Sequence, residues 1–213
     1  MTLQHPPLPD ASLDDASLAA ALAEGAGRVL LALRDSAEAT SPSVRALRDA
    51  GDAAAQDWLA AGLAHARPKD AVLSEEAADD PARLEADRVW IVDPLDGTRE
   101  FAERVPGGGW RDDFAVHVAL WRRGAGLSAG AVALPARGVV LDTARVAPPA
   151  DAIGDAEAVL AGRRVLRLAA SRSRPPAFVT ELASRGSVEL VPMGSAGVKV
   201  TAVVDGTVDA YVH

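Results

Sequence analysis

Trp90-Ile91-Val92-Asp93-Pro94-Leu95-Asp96-Gly97-Thr98 decides how this chain is read. An apolar run, Val89 to Val92, reads as a strand that stops on a carboxylate. Two acids three residues apart, where an extended segment passes into a turn, can converge on one point. Pro94 fixes its own φ and has no N–H to donate. Gly97 can take turn conformations closed to other residues. Thr98 offers a hydroxyl and a backbone N–H where a helix can begin, which suits an anion. Hard oxygen ligands of this kind suit Mg²⁺. A lone Asp-x-x-Asp is a capped turn with solvated acids. Placed at the end of a Val-Trp-Ile-Val run, the pair is hard to explain as surface decoration.

Upstream, Ala71-Val72-Leu73 reads as a short strand running into Ser74-Glu75-Glu76. Two strand ends in one sheet would bring Glu75 near Asp93 and Asp96. Three uncompensated carboxylates repel and raise one another's pKa, a penalty that a divalent cation removes. The Asp-x-Asp-Gly-Thr loop of haloacid-dehalogenase-type phosphatases is a different motif, because the two acids here are three residues apart rather than two.

Around this centre the periodicities predict helices over 14–34 and 52–65, and strands over 71–73, 88–92, 114–121, 126–134 and 137–142. Ser12, Asp14 and Asp15 make a helix start. Residues 144–158 are rich in Ala and Pro and mark a boundary between an N-terminal metal-binding α+β subregion, 1–150, and a C-terminal α/β subregion, 151–213. Beyond it come a strand over 164–170, a Pro-opened helix over 175–185, a strand over 187–191, a helix over 195–205 and a strand over 207–212. That βαβαβ order implies parallel or mixed pairing.

Composition narrows the function classes. With 213 residues, the chain is long enough to bury a core without disulfides, and zero cysteines exclude thiolate metal sites and a cysteine nucleophile. A net charge of −8 with 4% aromatic residues argues against a nucleic-acid partner. No unbroken apolar run reaches the length of a spanning helix, so no membrane association is expected. Met1 to Asp10 has no basic n-region or apolar core, so the cytoplasm is the expected location.

Ser74-Glu75-Glu76 followed by Trp90 to Thr98 and Arg99-Glu100-Phe101 resembles the inositol monophosphatase superfamily of Mg²⁺-dependent, Li⁺-sensitive phosphatases. Arg99-Glu100-Phe101, Asp113-Phe114-Ala115-Val116-His117 and Gly194-Ser195-Ala196-Gly197-Val198-Lys199 look most like the CysQ type, the 3′(2′),5′-bisphosphate nucleotidases acting on 3′-phosphoadenosine 5′-phosphate. The resemblance runs from about residue 14 to the end. It implies an α/β (α+β) fold, the layered αβαβα sandwich of the sugar-phosphatase type, truncated at its C-terminus.

The resemblance also implies roles. Glu75 and Asp93 match metal ligands, Asp93 bridging ions. Leu95 matches a ligand through its carbonyl, and Asp96 the second aspartate ligand. Gly97 and Thr98 match the backbone cradle of the phosphate. Asp52 matches the acid that partners the Thr hydroxyl. Gly194 and Ser195 match substrate contacts at a helix start. Asp52, Thr98 and Glu75 are thereby the implied catalytic residues, with Glu75, Asp96, Gly97, Thr98, Gly194 and Ser195 touching substrate. Two or three Mg²⁺ ions, a small phosphorylated substrate and inhibition by Li⁺ follow, and a homodimer is admitted. Inositol 1-phosphate and fructose 1,6-bisphosphate are the alternative substrates.

The sequence departs from the family pattern in three places. Arg48-Asp49-Ala50-Gly51 stands where a Thr usually precedes the early Asp. Pro106 to Gly109 is a glycine-rich insertion, expected as a mobile loop over the site. The family continues past Tyr211-Val212-His213 with a Trp-Asp motif that supplies another metal ligand. A truncated, inactive relative that binds phosphate or metal is therefore the reading from the other function class. His117 is expected as a packed or hydrogen-bonded histidine. Trp58, Trp90 and Trp121 are expected in the core, and Arg122-Arg123 and Arg163-Arg164 as solvated charge pairs. Lys199 is read evenly as a phosphate contact or a helix-surface lysine.

Overall fold

The structure is a computed structural model that describes residues 5–146, 152–186 and 188–212. The chain forms two compact units, Met1–Arg145 and Val146–His213. The boundary expected at 150/151 lies outside the described residues. Part of the 144–158 stretch is helical rather than linker, because α4 occupies Ala152–Leu160.

The first unit opens with two long helices, α1 (Asp15–Thr40) and α2 (Val44–Ala66). Asp14 caps α1 by accepting from the Ser17 N–H, and Ser41 ends it in a left-handed conformation. α1 runs six residues past the expected end, since nothing stops it before Ser41-Pro42. α2 starts eight residues earlier than expected. Ser43 caps it, but Val44 to Ala46 are exposed and Leu47 is the one buried residue before Gly51, so the apolar periodicity there is thin. By length and composition α1 is apolar enough to cross a membrane. The reading of unbroken runs missed this because Glu24 and Arg28 interrupt the segment. Leu18, Leu22, Val29 and Leu30 of α1 lie fully inside the core, which supports its role as a core helix.

Five strands follow: β1 (Ala71–Ser74), β2 (Arg88–Asp96), β3 (Ala115–Arg122), β4 (Gly126–Leu134) and β5 (Val139–Asp142). They pair in the order β1-β2-β3-β4-β5, with β1 parallel to β2 and the rest an antiparallel meander. Trp90, Val116, Val118 and Leu120 pack with Leu22, Leu59 and Leu63 in one helix-on-sheet core. Trp58 and Trp90 are buried as expected, whereas Trp121 is half-buried.

The second unit has β6 (Leu166–Ser171), α5 (Ala177–Ser184), β7 (Val188–Met193), α6 (Ala196–Val204) and β8 (Ala210–Tyr211). Its strands lie in the order β7-β6-β8, all parallel, with α5 and α6 as crossovers. Arg164 is not a solvated charge. It holds Asp209 at 2.7 Å, and Arg167 holds the same carboxylate at 2.9 Å.

Candidate active site

β2 runs past its expected end at Val92 to Asp96, and its register with β3 slips between Asp93 and Asp96. Pro94 removes a ladder donor there, and the slip re-aims the side chains. The Asp93 Oδ1 accepts the Leu95 N–H at 3.2 Å, which ties the turn. Gly97 sits at φ 90°, a left-handed value that favours glycine, and α3 (Thr98–Phe101) starts on the next residue.

Three side chains converge here. Ligand atoms of Asp93, Asp96 and His117 lie within 4.8 Å of one another. His117 faces Asp93 across the β2–β3 ladder, and its Nε2 is 3.0 Å from Asp96 Oδ2. The expected hydrogen-bonded histidine is therefore present, but its partner is one of the motif acids. The signal lay in the register: pairing 88–93 against 114–121 as a hairpin brings residue 117 opposite residue 93.

The acids are electrostatically crowded. Burial, then the neighbouring Asp96 charge, push Asp93 up to about 6. Burial opposes a charged His117, yet the hydrogen bond and charge of Asp96, with Asp93 behind it, raise its pKa.

Glu75 follows β1 directly. The pairing of Ser74 with Val92 sets it beside Asp93, and its N–H donates to the Val92 carbonyl at 3.4 Å. Its side chain is exposed and stands outside the converging trio. Ser74 supports the strand end by bonding Gln56 at 2.6 Å and accepting the Glu76 N–H.

On α2, Asp52 reaches the opening of α3. Thr98 Oγ1 donates within range of Asp52 Oδ1 at 3.3 Å and of the Leu95 carbonyl at 3.1 Å. Burial, then the charge of Glu76, push Asp52 up to about 6. The far end of α3 is gripped from α1. The buried Arg34 guanidinium bonds the carbonyls of Phe101 at 2.8 Å, Arg111 at 2.7 Å and Glu100 at 3.2 Å. It also lies over the Phe101 and Phe114 rings. Sequence reading missed Arg34, because an arginine among the leucines of a helix carries no local signal.

The glycine-rich insertion closes on itself rather than spreading loosely. Arg104 bridges to Trp110, the Val105 N–H donates to Gly109 at 2.9 Å, and Arg104 is ion-paired to Glu38 of α1 at 2.7 Å.

In the second unit Ser195 caps α6, accepting the Val198 N–H at 3.1 Å, and is buried. Lys199 is buried too, not on the surface, and donates to the Gly194 carbonyl at 2.6 Å.

The model of the inositol monophosphatase family matches residues 14–213. The chain belongs to this family.

Within it, the chain is 45% identical over 217 residues to the 3′-phosphoadenosine 5′-phosphate phosphatase of Mycobacterium leprae, covering 95% of this chain and 73% of that protein. It is 49% identical over 193 residues to the protein of the same name from Mycobacterium bovis, covering 88% and 67%. CysQ from Bacteroides thetaiotaomicron, a solved member of the family, superposes with a TM-score of 0.69 at 25% identity, over 92% of this chain and 78% of that one. Inositol monophosphatase II from Staphylococcus aureus shares the fold, with a TM-score of 0.67 at 19% identity, over 92% and 74%. The fold is thus the α/β fold of the inositol monophosphatases.

Proposed function

We propose that this chain is a Mg²⁺-dependent phosphomonoesterase that removes the 3′-phosphate of 3′-phosphoadenosine 5′-phosphate. The observation that carries the chemistry is the convergence of Asp93 and Asp96 beside the Thr98–Asp52 pair. The substrate rests on the names of the relatives at 45% and 49% identity.

The donor set fits Mg²⁺. Two carboxylates and the Leu95 carbonyl are hard oxygens, and burying Asp93 beside Asp96 leaves like charges that a dication offsets. Asp93, Asp96, the Leu95 carbonyl and Glu75 would hold the metal, with two or three ions per site. His117, already bonded to Asp96, orients that carboxylate. When bound, the metal supplies the positive charge that draws in phosphate, activates water and favours the departing oxygen.

The chain's own groups do the rest. The first N–H groups of α3 have no partner within the helix and receive phosphate oxygens at Gly97 and Thr98. Water attacks phosphorus in line with the ester bond, without a phosphoenzyme. The new P–O bond forms as the bond to the 3′-oxygen breaks. Thr98, held by Asp52, relays the water's proton to that carboxylate, and the ribose oxygen leaves with the bonding electron pair and takes a proton from solvent water to become the 3′-hydroxyl. Gly194 and Ser195 are proposed to contact the substrate through backbone groups, since the Ser195 hydroxyl is engaged in capping.

The test is a parallel assay with 3′-phosphoadenosine 5′-phosphate, inositol 1-phosphate and fructose 1,6-bisphosphate, with Mg²⁺, after chelation, and with Li⁺. Activity on the nucleotide that disappears on chelation, returns with Mg²⁺ and falls with Li⁺ supports the reading. Equal or faster turnover of either sugar phosphate overturns the substrate assignment. Turnover of none, with Mg²⁺ present, favours the inactive relative.

A further inference from the structure

Away from the carboxylate trio, the first unit holds an open cavity of about 480 Å³ where the end of α1, the start of α2, α3 and the closed insertion meet. This is within the size range of small-molecule sites. Its wall is cationic. Arg48 of α2, Arg99 of α3 and Arg104, just before the insertion, all line it. Arg104 is committed elsewhere, ion-paired to Glu38 at 2.7 Å and stacked 4.0 Å from the Trp110 ring. Arg48 and Arg99 have no hydrogen-bond or ion-pair partner among the described residues.

The Nε of Arg48 is buried and makes no hydrogen bond. Arg48 as a whole is half-buried, so its guanidinium is partly shielded rather than fully desolvated. A guanidinium has five donors in a planar fork and keeps its charge, so an unpaired one on a cavity wall favours an anion. The acid in the wall, Glu103, is shared with Arg111 at 3.8 Å and does not supply that acceptor. Val44 and Leu47 give the cavity an apolar floor beside the cations.

We infer that this cavity is a second anion site, which takes a small phosphate ester. Its phosphate sits between Arg48 and Arg99, and its organic part lies against Val44 and Leu47. Both arginines line one cavity, and a planar fork is the geometry in which arginine recognises phosphate. Arg99 directly follows Thr98 on the one-turn helix α3, so the site adjoins the phosphate cradle without sharing a residue with it.

The site is tested without turnover, in protein freed of metal by chelation, where the carboxylate trio repels anions. Adenosine 5′-monophosphate is the probe, titrated by calorimetry at low salt, with adenosine as control. One site per chain is expected, with no heat from adenosine. Arg48→Gln combined with Arg99→Gln weakens binding at least tenfold, whereas Asp93→Asn leaves it unchanged. Because Arg99 is exposed, Arg99→Gln alone leaves the core intact and must also weaken binding. No binding at millimolar probe overturns the inference, as does binding that Asp93→Asn changes and the arginine variants do not. Neither result bears on whether the metal-loaded protein is a phosphatase.

Discussion

Gly51 precedes Asp52 on α2, where the helix crosses the motif. A Cβ at this position would sit 2.6 Å from Phe101 Cε1 and 3.0 Å from Leu95 Cδ2. Carbon pairs settle at about 3.5–4.0 Å, so Gly51→Ala demands roughly 0.9 Å of movement. The Phe101 ring is not free to provide it. It is fully buried, edge-on to Phe114 at 5.4 Å and covered by Arg34 at 4.9 Å. The helix must therefore back away, and Asp52 moves with it. The Thr98–Asp52 contact, already long at 3.3 Å, passes out of hydrogen-bonding reach. Alanine gains about 1 kcal/mol of helix propensity over glycine, while overpacking costs about 1–3 kcal/mol. A net loss of about 1 kcal/mol is expected in urea unfolding. Misplacing a catalytic group by about 1 Å can cost ~10²-fold in rate, so kcat falls more than stability would suggest. A Gly51→Ala protein that is more stable than the parent and fully active would refute the close approach of α2 to the motif.

Asp93→Asn should abolish phosphatase activity at saturating Mg²⁺ while leaving the far-UV spectrum intact; retained activity would remove Asp93 from the metal site. Arg34→Met leaves the carbonyls of Glu100, Phe101 and Arg111 without their donor, and should cost about 3 kcal/mol or more by chemical denaturation. Gly25→Ala drives a Cβ into the buried Trp58 ring and should lower the melting temperature by several degrees, visible in tryptophan fluorescence. For Asp209, burial alone would raise the pKa, but hydrogen bonds from Arg164 and Arg167 reverse this and hold it well below the ordinary 3.8. Its folded pKa is depressed, so the stability it contributes is present above pH 3.8 and is lost as pH falls toward the folded value. Asp209→Asn should flatten the acid limb of the stability–pH curve; an unchanged limb would show that the arginine pair does not hold that carboxylate.

Much of the fold is legible because its signals are local. The alternation of Phe114 to Trp121 gives a strand from period alone, and the βαβαβ order of residues 164–212 implies parallel or mixed pairing, of which the structure has the parallel form. The start of α2 was not legible, since Leu47 alone is buried before Gly51 and the Ser43 cap, rather than an apolar stripe, marks it. Pro94 gave the place where β2 is interrupted, but not that the strand continues beyond it to Asp96.

The sequence alone determined the chemistry on offer: two carboxylates, a threonine hydroxyl and a glycine turn at the end of an apolar strand. Nothing in the linear spacing says which distant groups meet them. That was decided by strand register and helix crossing. The β2–β3 ladder sets His117 on Asp96, and the crossing of α2 at Gly51 brings Asp52 to Thr98. Arg34, from the last third of α1, closes on α3. The physical reason is one of range. Propensity, capping and turn geometry act over a few residues. A buried charge is instead satisfied by whichever partner the packing delivers, here 21, 46 and 67 residues away in the chain.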